Sequence, residues 1–225
     1  FGSDDNALSG GGKVDILKRG GTIDMYFLQN LKREFGMYSE GNAPKSALRI
    51  QCGLPSVDFK NLRTHILNQL KSLLPEYLSY HDLPHTIDVE KAVIRYANLE
   101  GISKEDLILL RTAALFHDAG FILQYHKNED IGIGMVRSAL PKYGYTNNQI
   151  DKIVQIINAT KLSVEPSSLL EQIMCDADHD YIGRPEYHII AKKLREELAL
   201  NKKVFTEREW IEFQLEFLEN QHVYY

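Results

Sequence analysis

The sequence predicts an all-α fold, a helical bundle over residues 51–225 with a small β-hairpin appended before it. Three observations carry that expectation. From about residue 56 the apolar residues recur every three to four positions, the period of a helix face. Four segments have the capping-box form that opens helices: Ser103 with Asp106, Thr146 with Gln149, Ser168 with Glu171, and Thr206 with Glu209. Two apolar stripes, Ile150–Ile153–Val154–Ile157 and Trp210–Phe213–Phe217, follow two of those starts and are expected to be buried. Together they predict about seven or eight helices, with no internal repeat of fixed period.

The order along the chain begins with a polar, glycine-rich tail, residues 1 to about 12. "VDILKRGGTIDMYFL" then reads as two strands, Val14–Leu17 and Thr22–Leu28, turning at Gly20-Gly21 with Ile23, Met25 and Phe27 on one face. A two-stranded hairpin is marginal in water, so it is expected to pack on the helices, on a partner or on a further domain. Residues 1–50 are therefore set apart from the helical domain of 51–225.

Leu62, Ile66, Leu70, Leu73 and Leu74 define the first helix, expected to end near Pro75. In "YHDLPHT", Pro84 suits the first turn of a helix, which leaves His81 in the entering loop and puts His85 on the first turn. "LLRTAALFHDAGF" reads as a strongly apolar helix with Gly120 as its stop, so that His117 and Asp118 fall in its last turn. The segment "IMCDADHDYIG" closes a helix that starts near residues 166–168.

Bulk properties narrow the class. Across 225 residues, 44% hydrophobic and 25% charged content suits a folded globular chain. No stretch approaches the roughly 18 apolar residues of a membrane span, and no secretory signal is visible at the start, so a cytoplasmic protein is expected. Cys52 and Cys175 form no CxxC pattern and suit reduced thiols. A net charge of −5 with scattered basic residues offers no broad nucleic-acid surface. Phosphate is still an acceptable ligand if a carboxylate-held cation offsets its charge.

The chemistry concentrates at apparent helix ends. An aspartate placed directly after "AALF" is costly unless paired, and the acids Asp176, Asp178 and Asp180 beside an apolar segment pose the same demand. A calcium loop is a poor fit, because the glycine and the distal glutamate that such a loop needs are missing. Two histidines and two carboxylates drawn from three segments form a mixed nitrogen and oxygen ligand set for a six-coordinate ion with open water positions. His65, His126, His188 and His222 read as structural residues.

These motifs resemble those of the HD-domain metal-dependent phosphohydrolases, a group that includes the mammalian-type cyclic nucleotide phosphodiesterases. "YHDLPHT" is similar to the opening Y-H-x-x-x-H-T, "FHDAG" to the histidine–aspartate doublet, and "DADHDYIG" to the closing D-A-D-x-x-x-x-G. The resemblance covers roughly residues 56–200 and implies a helical HD-type bundle. It implies His85, His117, Asp118 and Asp178 as ligands of a divalent ion: Mn, Mg, Fe, Ni, Co or Zn. His81 is implied as proton donor to the leaving oxygen and is counted with Asp118 as catalytic; the nucleophile is expected to be a metal-activated water.

Two departures matter. Where the family carries a further histidine about ten residues after the doublet, this chain reads "YHKNED", and "INATK" stands where two-metal members carry histidines, so one metal is expected rather than two. Lys127, Thr160 and Lys161 are candidate phosphate contacts. The hairpin resembles the end of a class III nucleotide cyclase domain, where a V-K-G-K-G-like turn precedes a strand ending in Y-F, which implies the C-terminal part of a cyclase fusion.

The resulting expectation is a hydrolase of a nucleotide or related phosphate ester, with cyclic and linear substrates both open and a homodimer as the candidate assembly. The alternative is a nucleotide-sensing regulatory module with little activity that controls an attached cyclase or other partner. A di-iron oxygenase needs more histidines than can be placed.

Overall fold

Among the described residues, 57–220 of a computed structural model, all regular structure is helical. The tail and the hairpin expected before residue 50 lie outside them. The order is α1 (Phe59–Leu73), α2 (Leu83–Leu99), α3 (Lys104–Phe116), α4 (Asn128–Ala139), α5 (Asn147–Ala159), α6 (Leu169–Asp178), α7 (Tyr187–Leu200) and α8 (Glu207–Asn220). Short 3₁₀ turns follow α3 (Ala119–Ile122), α4 (Leu140–Tyr143) and α6 (Asp180–Gly183). No helix among these residues is long and apolar enough to cross a membrane.

The four capping pairs all open helices. Ser103, Thr146, Ser168 and Thr206 each accept a backbone N–H from the residue three positions on, and at Thr146 both halves of the box form with Gln149. Each such cap is worth about 1 kcal/mol. Asp82 caps α2 in the same way, accepting from His85 N at 2.8 Å, with Pro84 in the first turn. His81 therefore lies in the loop and His85 on the helix, as the proline dictates.

α3 is the centre of the bundle. Ala113, Ala114, Leu115 and Phe116, four consecutive residues, are all fully buried, so the last turn of the helix is apolar around its circumference and enclosed. α1, α2, α4, α5 and α6 pack around it. Leu62, Ile66 and Leu70 of α1 and Ile150, Ile153 and Ile157 of α5 supply the facing stripes. Burying each such side chain contributes about 1.5–3 kcal/mol.

Two charge clusters set the register of this packing. Glu90 of α2, 2% exposed, accepts from Arg63 of α1 and from Arg111 of α3, so three helices share one carboxylate. Asp180, in the turn after α6, is paired with Arg95 and Arg184 and accepts the Tyr96 hydroxyl at 2.6 Å, while Arg184 also reaches Asp88 at 2.6 Å. This ties the end of α6 to α2.

Gly120 does not act as a left-handed stop. α3 ends at Phe116, His117 is its C-cap in right-handed helical geometry, and Gly120 lies inside the following 3₁₀ turn. Its role is closeness: a Cβ there would sit 1.8 Å from the carbonyl oxygen of Asn128. Gly132, one turn into α4, similarly lets that helix press on the carbonyl of Phe116, 2.7 Å from where its Cβ would be.

Candidate metal centre

Three helix ends meet beside the buried terminus of α3. α2 brings His85 on its first turn, α3 is capped by His117 and hands the chain to Asp118, and α6 brings Asp178 as its last residue. In an unbroken helix, neighbouring side chains diverge by about 100°. Here the helix stops at Phe116 and the backbone leaves α-helical geometry at Asp118, which lets both members of the doublet face one point.

The four residues converge. His85 Nε2 lies 3.1 Å from Asp178 Oδ1 and 3.4 Å from Asp118 Oδ2; His117 Nε2 lies 3.1 Å from Asp118 Oδ2 and 3.4 Å from Asp178 Oδ1. One ligand atom from each of His85, His117 and Asp118 lies within 4.8 Å of the others, a group that could hold a metal ion. His117 Nδ1 donates to the carbonyl of Ala114 at 2.9 Å, which fixes the tautomer and leaves the Nε2 lone pair pointing inward.

The donor set fits a divalent cation. His117 Nε2 and Asp118 Oδ2 are fully buried and have no hydrogen-bond partner despite lying 3.1 Å apart, a cost that few buried polar atoms bear. Burial pulls the His85 imidazole down, but the adjacent carboxylates of Asp118 and Asp178 outweigh it and raise its pKa to about 9. His117 is raised in the same way, against its own burial, by the same two carboxylates. Burial raises both carboxylates, and the neighbouring imidazoles overcome that and hold them well below the usual range. A dication with neutral imidazole and ionised carboxylate ligands would satisfy the same atoms.

Of the three acids in "DADHD", Asp178 alone joins this cluster. Asp180 is consumed by its arginines, and Asp176 is buried elsewhere on α6, 7% exposed. Asn128, the first residue of α4 and 7% exposed, donates from its amide to Asp118 Oδ1 at 3.3 Å.

His81 stands at the edge of the cluster. Its ring stacks on Phe121 at 4.3 Å between centroids and lies 6.1 Å from the His85 ring. Its Nδ1 is 2.5 Å from Oε1 of Glu197, a fully buried residue of α7. Glu197 also accepts the backbone N–H groups of Tyr80 and His81 at 2.8 and 3.0 Å and the Tyr125 hydroxyl at 3.3 Å. Burial raises its carboxyl, and these donors, His81 foremost, bring it below the ordinary value.

Sequence reasoning passed over Glu197. In "LREELAL" nothing local separates it from the neighbouring acids, and its burial shows only once α7 is packed.

The three phosphate candidates have other engagements or none that reach the cluster. The Thr160 hydroxyl donates to Ile157 O at 2.8 Å, Lys161 Nζ donates to Asp130 Oδ1 at 2.6 Å, and Lys127 is exposed at the entry to α4 with a left-handed φ of 57°.

Residues 83–181 match the family model described as HD domain. Among solved structures, a predicted HD superfamily hydrolase from an uncultured Thermotogales bacterium is similar, with a TM-score of 0.49 and 23% identity over 69% of this chain and 88% of that one. No curated protein matches the chain.

Proposed function

We propose that this chain, which carries an HD domain over residues 83–181, is a metal-dependent phosphohydrolase acting on a nucleotide or a related phosphate ester. The observation that carries the reading is the pair of buried, unpartnered ligand atoms on His117 and Asp118, facing His85 and Asp178, with the His81–Glu197 pair beside them. His85, His117, Asp118 and Asp178 would hold the ion. When bound, the ion polarises a phosphoryl oxygen and lowers the pKa of a coordinated water.

The remaining steps fall to side chains of this chain. With Nδ1 of His81 committed to Glu197, Nε2 is the nitrogen that delivers a proton to the departing oxygen. Glu197 offsets the positive charge of the imidazolium before transfer and holds the ring in one rotamer, aided by the stacked Phe121. His81 and Glu197 both lie outside the matched span of 83–181, so the proposed functional unit takes in the loop before α2 and α7. Lys127, Thr160 and Lys161 are the candidate phosphate contacts, and for Lys161 a phosphate would have to displace Asp130.

Incubation of the purified protein with Mn²⁺ and a panel of cyclic and linear nucleotides tests this. Release of phosphate or opening of a cyclic diester is the expected result. Absence of turnover on every phosphoester, by protein shown to hold the ion, would count against the reading.

A further inference from the structure

We infer that Asn128 is a positioning residue that occupies one oxygen of Asp118, so that Asp118 offers a cation a single oxygen and the centre is built for one ion. The inference rests on the metal-site reading above and specifies how that site is limited. Asp118 has two oxygens with different surroundings. Oδ2 faces His85 Nε2 and His117 Nε2 and has no hydrogen-bond partner. Oδ1 takes the amide of Asn128 at 3.3 Å.

A carboxamide turned toward a carboxylate offers its NH₂, which carries two donors and no lone pair for a metal. It satisfies Oδ1 and keeps the carboxylate plane from rotating to present both oxygens. A second ion bridged through Oδ1 would have to expel this donor.

The backbone shows that Asn128 is held in place. Lys127 adopts a left-handed φ of 57°, which turns the chain sharply into α4 directly before Asn128. The Asn128 carbonyl sits where a Cβ of residue 120 would be, so the turn carrying Asp118 and the start of α4 touch backbone to backbone. Gly132 repeats that close approach one turn on, against the carbonyl of Phe116. Two glycines on two elements thus press the first residue of α4 onto the residue after His117. Asn128 is also buried, which an amide tolerates only when its hydrogen bonds are made.

Titration of the full chain with Mn²⁺, followed by electron paramagnetic resonance, tests the inference without any substrate. The wild type is expected to take one equivalent with the spectrum of an isolated ion. Asn128→Ala is expected to bind that ion about 10- to 100-fold more weakly, the usual effect of removing a group that orients a ligand. Wild-type protein that takes two spin-coupled ions, or an Asn128→Ala protein that binds as tightly as wild type, would overturn it. Should the alanine variant not fold, Asn128→Asp decides, because it keeps the shape and removes the donor. A second bound equivalent, or weaker binding of the first, supports the inference; a lone ion held at least as tightly as in wild type refutes it. A wild-type protein that holds one Mn²⁺ yet turns over no phosphoester would remove the proposed activity and leave this inference standing.

Discussion

His81 Nδ1 and Glu197 Oε1 lie 2.5 Å apart although 116 positions separate the two residues in the chain. The same carboxylate accepts the backbone N–H groups of Tyr80 and His81, so it fixes both the ring and the loop that carries it. Glu197→Gln keeps an oxygen for those backbone donors and loses the carboxylate that holds Nδ1 of the ring. We expect kcat to fall by about 10²-fold, within the range that general acid catalysis contributes, with Mn²⁺ content unchanged. Metal analysis alongside steady-state kinetics checks this, and joint loss of ion and activity would show that Glu197 serves the cluster rather than His81.

The division between ligands and proton donor gives a second prediction. His117→Ala, Asp118→Ala and Asp178→Ala should each lose the ion on gel filtration, because each removes an atom that lies 3.1–3.4 Å from its neighbours in the cluster. His81→Ala should retain it and slow turnover by about 10² to 10⁴. Equal metal loss in all four variants would abolish the distinction.

The imidazoles predict how the metal-free protein responds to pH. Burial lowers the His85 pKa, and the Asp118 and Asp178 contacts more than reverse this, so the folded value is about 9 against an ordinary 6.5. A group raised on folding adds stability that is complete below pH 6.5 and is lost as pH climbs through about 9. EDTA-treated protein should therefore melt at progressively lower temperature across that window. Mn²⁺ needs the imidazoles deprotonated, so its affinity should rise with pH up to about 9, with proton release on binding below that value. Calorimetry in buffers of different ionisation enthalpy measures the released protons. Binding without proton release at pH 7 would contradict the assignment.

Much of this centre was legible in the sequence because its parts sit at local signals. Pro84 marks the start of α2 and so separates the roles of His81 and His85, and the four capping pairs place helix starts by short-range hydrogen bonding. What escaped depends on tertiary contact. Glu197 reads as one charge among several on α7 until the helix is packed against the loop at Tyr80 and His81. Gly120 reads as a helix stop because glycine commonly is one, whereas its actual function depends on a carbonyl eight residues ahead arriving from another helix. Asp178 is picked out from Asp180 only by the resemblance of its motif; the pairing of Asp180 with Arg95 and Arg184 is a tertiary contact that spacing does not reveal.

The glycine contacts yield the last prediction. At residue 120 a methyl group would meet the Asn128 carbonyl oxygen at 1.8 Å, its carbon at 2.6 Å and its Cα at 2.9 Å. These are backbone atoms at the first turn of α4, so no side-chain rotation relieves the clash, and either α4 shifts or the turn after Asp118 does. Gly120→Ala is expected to destabilise the protein by about 3 kcal/mol or more, at or above the upper part of the range for overpacking. Because either shift also separates Asn128 from Asp118, Mn²⁺ affinity should fall with it. Gly183→Ala is the control: a Cβ there meets nothing within 4 Å, and its φ is not in the left-handed region. That variant should stay within about 0.5 kcal/mol of wild type in urea denaturation. A Gly120→Ala protein as stable as the control would mean that the two backbones do not touch, and the path by which α4 supports Asp118 would be lost with that contact.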